Sequence, residues 1–437
     1  MEASSPFTSR FEESAMRKIR LRILPFLSAL YFIAFLDRAN VAYAKLTMAQ
    51  DLGFSEWVYG FGAGLFFVGY LLLEIPGALI VQRWGVRRWT ARILLTWGLC
   101  AIGLSFVQSA TSFYIGRFLL GVAEGGLFPG IIVYLSHWVP ARHRAKAIAS
   151  FVLASPVALA LGGPLAGLLL AIHWLGVPGW RWLLIVEGIP ALAFSVLTWC
   201  TLPDLPADVS WLSGDERAWL IGRLNAERRA SPESTTTEIA HLFRMPIVIF
   251  LCAIIFLANV GIQGFFLWLP TTIQKASGLS APLAAFLSGS PFVVATISVL
   301  VCSWSSDRSG RRALHIYAPL MLSGIIFSIT ALSSLSFGWL LFWLCASSAA
   351  IYGFGPSFYL LPSLLLNDSA AAATTGLINM FAALGGFVGP TVIGKMFQMG
   401  YSFPRVIEFL SICFFLAGAL CFFVRRHLRG PLTREIF

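Results

Sequence analysis

QRWGVRR at residues 82–88 returns in altered form as DRSGRR at 307–312, the two motifs beginning 225 residues apart. Each is a short basic run that closes a long apolar stretch. Working outward, Pro129 and Pro356 lie 227 apart, and the Pro164 of GGP (162–164) and the Pro390 of GGFVGP (385–390) lie 226 apart. Three landmarks at nearly one offset mark a chain built from two related halves. Internal repeats of this kind are characteristic of membrane transporters in which a site sits between halves that rock against each other.

Composition agrees with a membrane origin. Of 437 residues 58% are hydrophobic and 12% charged, a balance foreign to soluble domains. A helix needs about 20 apolar residues to cross ~30 Å of hydrocarbon. Twelve runs meet that length: 21–44, 58–81, 90–108, 112–136, 146–172, 181–201, 246–272, 281–304, 313–334, 337–366, 371–398 and 405–424, here spans 1 to 12. Span 1 follows a charged segment and contains Asp37 and Arg38, so it is read as a retained helix rather than a cleaved signal peptide. The expected fold is therefore all-α, with twelve transmembrane helices in two pseudo-symmetric six-helix bundles, 1–201 and 246–437. The polar segment 202–245 separates them. Within it Ser213 is placed to cap an amphipathic helix starting at DERAWLIGRLNAERR, expected to lie on the membrane surface.

The formal net charge is +11, yet the basic residues gather at span ends rather than in a patch suited to nucleic acid. All but seven of the 31 Lys and Arg (the exceptions being 38, 45, 117, 181, 275, 395 and 405) fall on the side that holds both termini and the linker. By the positive-inside rule that side is cytoplasmic. The seven cysteines are scattered through apolar runs and read as small core residues. Neither a phosphate-binding GxxxxGK[ST] loop nor HExxH is present, and the six histidines are dispersed. Enzymatic and ATP-driven functions are disfavoured, and no cofactor or metal site is expected.

RFLLGVAEGGLFPG at 117–130 carries two full charges inside an apolar run. Seven residues of helix turn through nearly two full turns, so Arg117 and Glu124 share a face to within ~20°. Asp37 and Arg38 form a second pair in span 1. A charge at the bilayer centre costs ~2.5 kcal/mol or more, so such groups face a cavity or each other. One reading is that the four only pin spans 1 and 4 together; the other is a binding site. Their charges sum to zero, so an entering carboxylate makes the site net negative and favours protonation of Asp37 or Glu124. Arginine suits the anion because its planar fork holds a carboxylate through two hydrogen bonds.

The paired basic loops resemble the loop signature of the major facilitator superfamily. FLDRANVAYA, GYLLLEIPGALIVQRWGVRRWTARILLTWG, RFLLGVAEGGLFPGIIVYLSHWVP, GWRWLLIVEGIPALA and GLINMFAALGGFVGP resemble, in order, segments of its anion:cation symporter family, whose members transport sugar acids, tartrate or phthalate-type anions. The resemblance runs over essentially the whole chain. It implies that Arg117 holds the substrate carboxylate with Arg38 in support, that Asp37 and Glu124 carry the coupled proton, and that Tyr70 and Asn379 line the cavity. Where the family has Tyr before LDR this chain has Phe35, removing a hydroxyl; Gln263 in span 7 and Tyr359 in span 10 stand at other departures and are weaker cavity candidates. The loops imply a latch on the cytoplasmic side, formed by Arg83, Gly85 and Arg87 in one copy and Asp307, Arg308, Gly310 and Arg311 in the other. In it Asp307 accepts from a neighbouring helix end and an arginine, holding the cytoplasmic side shut in the outward-facing state; the other reading is that these arginines serve only topology. Gln82 replaces the acid in the first copy, which weakens that latch unless Glu74 substitutes.

The reading is a proton-coupled importer of an organic carboxylate, with Na+ as the other candidate coupling ion. It is expected as a monomer by default, multi-pass in a bacterial inner membrane, with the lipid bilayer and the small anion as its partners. The competing readings are proton-coupled efflux of amphipathic compounds, which would favour an acidic, aromatic cavity without two arginines, and a nutrient sensor that has lost transport. The proposed mechanism requires the Arg117 guanidinium to lie beside an open chamber.

Overall fold

A computed structural model describes residues 6–230, 242, 244–332, 336–366 and 368–427. No strand occurs among them. Pro25, which lacks an N–H and so fits a first helical turn, opens span 1 at Leu24–Asp51. The charged residues before it form a separate helix, Pro6–Arg22. The remaining spans of the first half are Glu56–Trp84, Val86–Leu104, Ala110–Glu124 continued by Leu127–Trp138, Ala141–Val152 continued by Ala154–Leu170, and Gly179–Thr201. The second half holds Pro246–Ser277, Ala281–Leu287 continued by Ser290–Ser309, Leu314–Leu332, Phe337–Gly353 with two short continuations to Leu365, Asp368–Gln398 and Phe403–His427.

Among the described residues eleven helical stretches are long and apolar enough to cross a membrane. The exception is span 3, whose helix Val86–Leu104 matches them in length but carries Arg87, Arg88 and Arg92 near its start. Twelve crossings leave both ends of the chain on one side, the termini side; the opposite side is called the far side.

The halves meet along two related seams, span 2 against span 11 and span 5 against span 8. Both are closed by backbone contact at the far side. A methyl group on Gly60 would lie 2.5 Å from the Pro390 carbonyl, one on Gly163 2.6 Å from the Ala285 carbonyl, and one on Gly289 2.4 Å from the Ala160 carbonyl. Small residues permit such approach, which is how helices associate where no hydrophobic force separates them from lipid. Polar contacts reinforce the closure. Glu56 receives Lys45 of its own half at 2.7 Å and Lys275 of the other half at 2.7 Å, and the Tyr59 hydroxyl donates to the Leu267 carbonyl at 2.8 Å. On the termini side, the ion pairs among the described residues stay within one half or bind the first half to the linker. Among the described residues, the ion pair that joins the two halves thus lies at the far side.

The linker helix forms at Gly214–Ala230 with the expected cap: the Glu216 N–H donates to Ser213 Oγ at 3.2 Å, and the Ser213 N–H donates to Glu216 Oε2 at 2.8 Å. Its apolar side does not lie free for lipid. Leu220 and Leu224 are buried, and the helix packs on Pro6–Arg22. The rest of the linker, 231–241 and 243, falls outside the described residues. Ser14 Oγ and Lys18 Nζ each reach the Glu216 carboxylate at 2.6 Å. Burial alone pushes the Glu216 carboxyl up, but Lys18, Ser14 and the Ser213 N–H hold it down at about 2.

A carboxylate whose folded pKa is depressed stabilises the fold above its unfolded value and loses that contribution as pH falls toward the folded one. The clasp should therefore hold above about pH 4.5 and fail as pH approaches 2. Pepsin, active across that window, should cut within 206–230 increasingly as pH drops, and Glu216→Gln should be cut already at pH 4.5. The seam gives a second prediction. Gly60→Val should force the far side open, so that Gln263→Cys, in a cysteine-free background, reacts at least about tenfold faster with a membrane-impermeant maleimide added on that side.

Candidate functional site

Span 4 breaks in mid-membrane because Gly126, at φ +86°, adopts a conformation that side chains rarely take. Its first segment ends at Glu124, pressed against span 2: a methyl group on Gly121 would lie 2.0 Å from the Phe66 carbonyl. Arg117 and Glu124 share the buried face that their spacing predicts. They do not share a partner.

Arg38 takes Glu124. Its Nε and Nη2 reach Glu124 Oε1 at 2.7 and 2.5 Å, while Glu124 Oε2 is buried without a donor. The guanidinium also lies over the rings of Phe35, Tyr70 and Phe66, at 5.1, 5.0 and 5.7 Å from their centroids, a placement that suits a delocalised cation. The Arg38 side chain is 23% exposed and that of Glu124 0%, so the arginine is the accessible member of the pair. Phe35, expected only to remove a hydroxyl, forms part of the cation's cage.

Arg117 departs from expectation. It is 1% exposed, its Nη2 donates to the Ala63 carbonyl at 3.3 Å, and its Nε and Nη1 have no partner. Its guanidinium lies 5.0 Å from the Phe66 ring, the ring that Arg38 also approaches. Asp37 is the carboxylate whose field acts most strongly on it. Asp37 is itself 1% exposed, with Asn40 Nδ2 donating to it at 2.9 Å. In this conformation Arg117 and Asp37 are enclosed within the first half, and the mechanism that places Arg117 at an open chamber does not describe it.

Other groups complete the chamber wall. Asn379 Nδ2 reaches Glu74 Oε1 at 3.5 Å, joining spans 11 and 2 across the two halves. Glu74, the acid that could have substituted in the first latch, is thus engaged by Asn379 instead. Tyr359 is 45% exposed and lies within the field of Glu74 and Tyr31 of the other half. Gln263 is half-buried in span 7, with no described contact to the charged group.

The basic loops pair within their own neighbourhood in this conformation. The acid of the first copy is Asp204: it accepts the Arg87 N–H at 2.8 Å and lies 3.7 Å from Arg87 Nε, while Gly85 turns the chain at φ +82°. Arg83 is exposed. In the second copy Asp307 meets Arg312 at 3.3 Å, not a neighbouring helix end, and its side chain is 70% exposed. Arg308 lies over Trp304, Arg311 is exposed, and Gly310 makes the helix-ending turn at φ +67°. No contact across the halves is described for either copy.

Three charged residues escape the sequence analysis. Glu187 of span 6 is 4% exposed with both oxygens unpartnered, and it feels Asp37; its signal was an acid within the apolar run GWRWLLIVEGIPALA. Lys45 and Lys275 appear there only as basic residues away from the termini side, and their convergence on Glu56 needs the fold.

The comparisons with known proteins follow this geometry. The family model of the Major Facilitator Superfamily matches residues 27–390. A candidate tartrate transporter of Agrobacterium vitis is 41% identical over 92% of this chain and 93% of its own. The Quinolone resistance transporter of Acinetobacter baumannii is 35% identical over 98% of both chains, and the Inner membrane transport protein RhmT of Escherichia coli K12 is 34% identical over 86% of this chain and 87% of its own. Among solved structures, a D-xylose-proton symporter superposes with a TM-score of 0.73 at 16% identity, over 94% of this chain and 98% of that one. With its helical halves, its buried charges and these relatives, the chain belongs to the major facilitator superfamily, a family of multi-pass membrane transporters of small molecules and not of enzymes.

Proposed function

We propose that the protein imports an organic carboxylate together with a proton, and that Arg38 is the group that receives the anion. The observation that carries this is the Arg38–Glu124 pair: one part-exposed guanidinium held by one fully buried carboxylate. A substrate carboxylate approaching Arg38 competes with Glu124. If Glu124 stayed ionised when displaced, it would be a buried charge without a partner, a situation that costs several kcal/mol. Protonation of Glu124 removes that cost. One anion and one proton therefore enter as a linked pair, and loss of both on the termini side restores the internal ion pair.

In this reading Arg117 balances Asp37 behind the chamber wall, and Asp37 is a second protonation site. Tyr70, Tyr359, Asn379 and Gln263 shape the space around the anion's hydroxyls or ring, and Glu74 orients Asn379. Na+ could take the proton's part only where two or more oxygens converged with Glu124, so the proton is preferred. The orientation follows the basic residues: termini and linker in the cytoplasm, chamber open inward, far side periplasmic, in the bacterial inner membrane. The resemblance to a candidate tartrate transporter supports a dicarboxylate or sugar acid as the cargo. A monomer suffices, because each chain holds both halves of the site.

A second reading, drug efflux, is favoured by the resemblance to the Quinolone resistance transporter. Proteoliposomes loaded at neutral pH separate the two. With acid outside, wild-type protein should accumulate labelled tartrate or another carboxylate of a panel; proton-driven depletion of a preloaded compound would instead identify efflux.

Glu124→Gln should keep counterflow exchange but lose gradient-driven accumulation. Arg38→Ala/Glu124→Gln, which leaves no orphaned charge, should lower uptake at least about 30-fold, the scale of a lost ion-pair contact of ~2 kcal/mol. Wild-type accumulation by Glu124→Gln would remove that residue from coupling.

A further inference from the structure

A cavity of about 330 Å³ opens between spans 7, 9, 10, 11 and 12 at the far-side end of the second half, away from the chamber. Ligand pockets run from ~300 Å³ upward. Lys275 and Thr271 stand on its wall, and Trp268, Leu340, Phe397 and Phe403 give it an apolar body. Two buried polar groups of the lining residues, Thr271 Oγ1 and Trp268 Nε1, have no partner in the protein. Buried donors of this kind are costly unless something satisfies them.

Charge points the same way. Lys45 and Lys275 converge on one carboxylate, Glu56, so the cluster holds two ammonium groups against one acid. The other acids at this end are engaged elsewhere: Asp51 accepts from Trp180 Nε1 at 2.9 Å, and Glu408 pairs with Arg405 at 2.9 Å. Lys395, over Trp57, adds a further cation. Lys45 is buried beneath Tyr59 and Trp268, whereas the Lys275 side chain is 61% exposed and lines the cavity. Lys275 is thus the cation free to take a different partner.

We propose that this cavity is an accessory binding site, entered from the far side, for a small carboxylate on an aromatic or aliphatic body. Its carboxylate takes Lys275 from Glu56, and its body rests on Phe397 and Phe403. The Lys275–Glu56 contact is the ion pair that joins the halves at the closed seam, while Lys45 keeps Glu56 paired within its own half. An occupant would touch the second half only, so it would favour the conformation in which the seam has opened. External anion would then help expose the chamber to the side from which it comes.

The test uses the whole protein in nanodiscs and radiolabelled benzoate as probe. Arg38→Gln/Glu124→Gln removes the chamber's anion-binding pair, so a failure there is separated from a failure here. In that background benzoate should still bind saturably. Lys275→Gln should weaken it by about tenfold or more, Lys275→Arg should retain it, and uncharged benzyl alcohol should compete at least about tenfold less well than benzoate. Benzoate should also speed far-side maleimide labelling of Gln263→Cys. Absence of saturable binding in the Arg38→Gln/Glu124→Gln protein would overturn the proposal. So would undiminished binding in Lys275→Gln protein with an unchanged melting temperature, which assigns the cavity to apolar solutes or lipid.

Discussion

A carboxylate enclosed in a helix bundle within lipid must be paired or protonated, and Glu124 has one partner to lose. With its side chain fully buried and one oxygen without any donor, its charge is tolerated because Arg38 lies against the other oxygen. The rest of the site is arranged around that dependence. Aromatic rings hold Arg38 at the chamber wall, so it is reachable without being dissolved in water. The more deeply buried Arg117 and Asp37 lie apart from it, and the Phe66 ring lies near both guanidiniums. Four charged residues therefore occupy one bundle, and Arg38 is the more exposed of its two arginines.

The chamber and the closed seam are built on the same helices. Span 2 carries Gly60 at the seam, then Phe66, Tyr70 and Glu74 beside the chamber; span 11 carries Asn379 beside the chamber and Pro390 at the seam. Backbone contact between these spans leaves little room for independent adjustment, because close-packed interfaces shift as units. A change in charge at Glu124 and a change at the Glu56 cluster therefore act on the same rigid elements. That shared scaffold is the physical route by which occupancy of a site in mid-membrane bears on which side is open.

Much of this was legible in the sequence. Apolar run length gave the crossings, the repeated basic loops gave two halves, and Ser213 with Glu216 gave the linker's cap. Span 3 was found by its apolar core although Arg87, Arg88 and Arg92 dilute it. The four buried charges were found because charge in an apolar run has few explanations. Which arginine meets which acid was not legible. Asp37 and Arg38 are neighbours on one helix and so point about 100° apart, and spacing within a helix fixes relative faces but not which face meets the chamber. The rotation of span 1 buries Asp37 and leaves the Arg38 side chain part-exposed. Partners contributed from distant segments, such as Asp204 to Arg87 and Lys275 to Glu56, carry no local signal at all. Glu187 carries a local signal, one acid within an apolar run, but its proximity to Asp37 comes from the packing of span 6 on span 1.

The claim at the centre is that the anion displaces Glu124 from Arg38 and that Glu124 takes a proton as it leaves. Calorimetric titration of the purified protein with tartrate, or with the carboxylate that uptake identifies, in buffers of differing ionisation enthalpy counts the protons taken up on binding. Near neutral pH the account predicts uptake of close to one proton per anion by the wild-type protein and close to none by Glu124→Gln, which still binds. Binding without proton uptake in the wild type, or with undiminished uptake in Glu124→Gln, would contradict it.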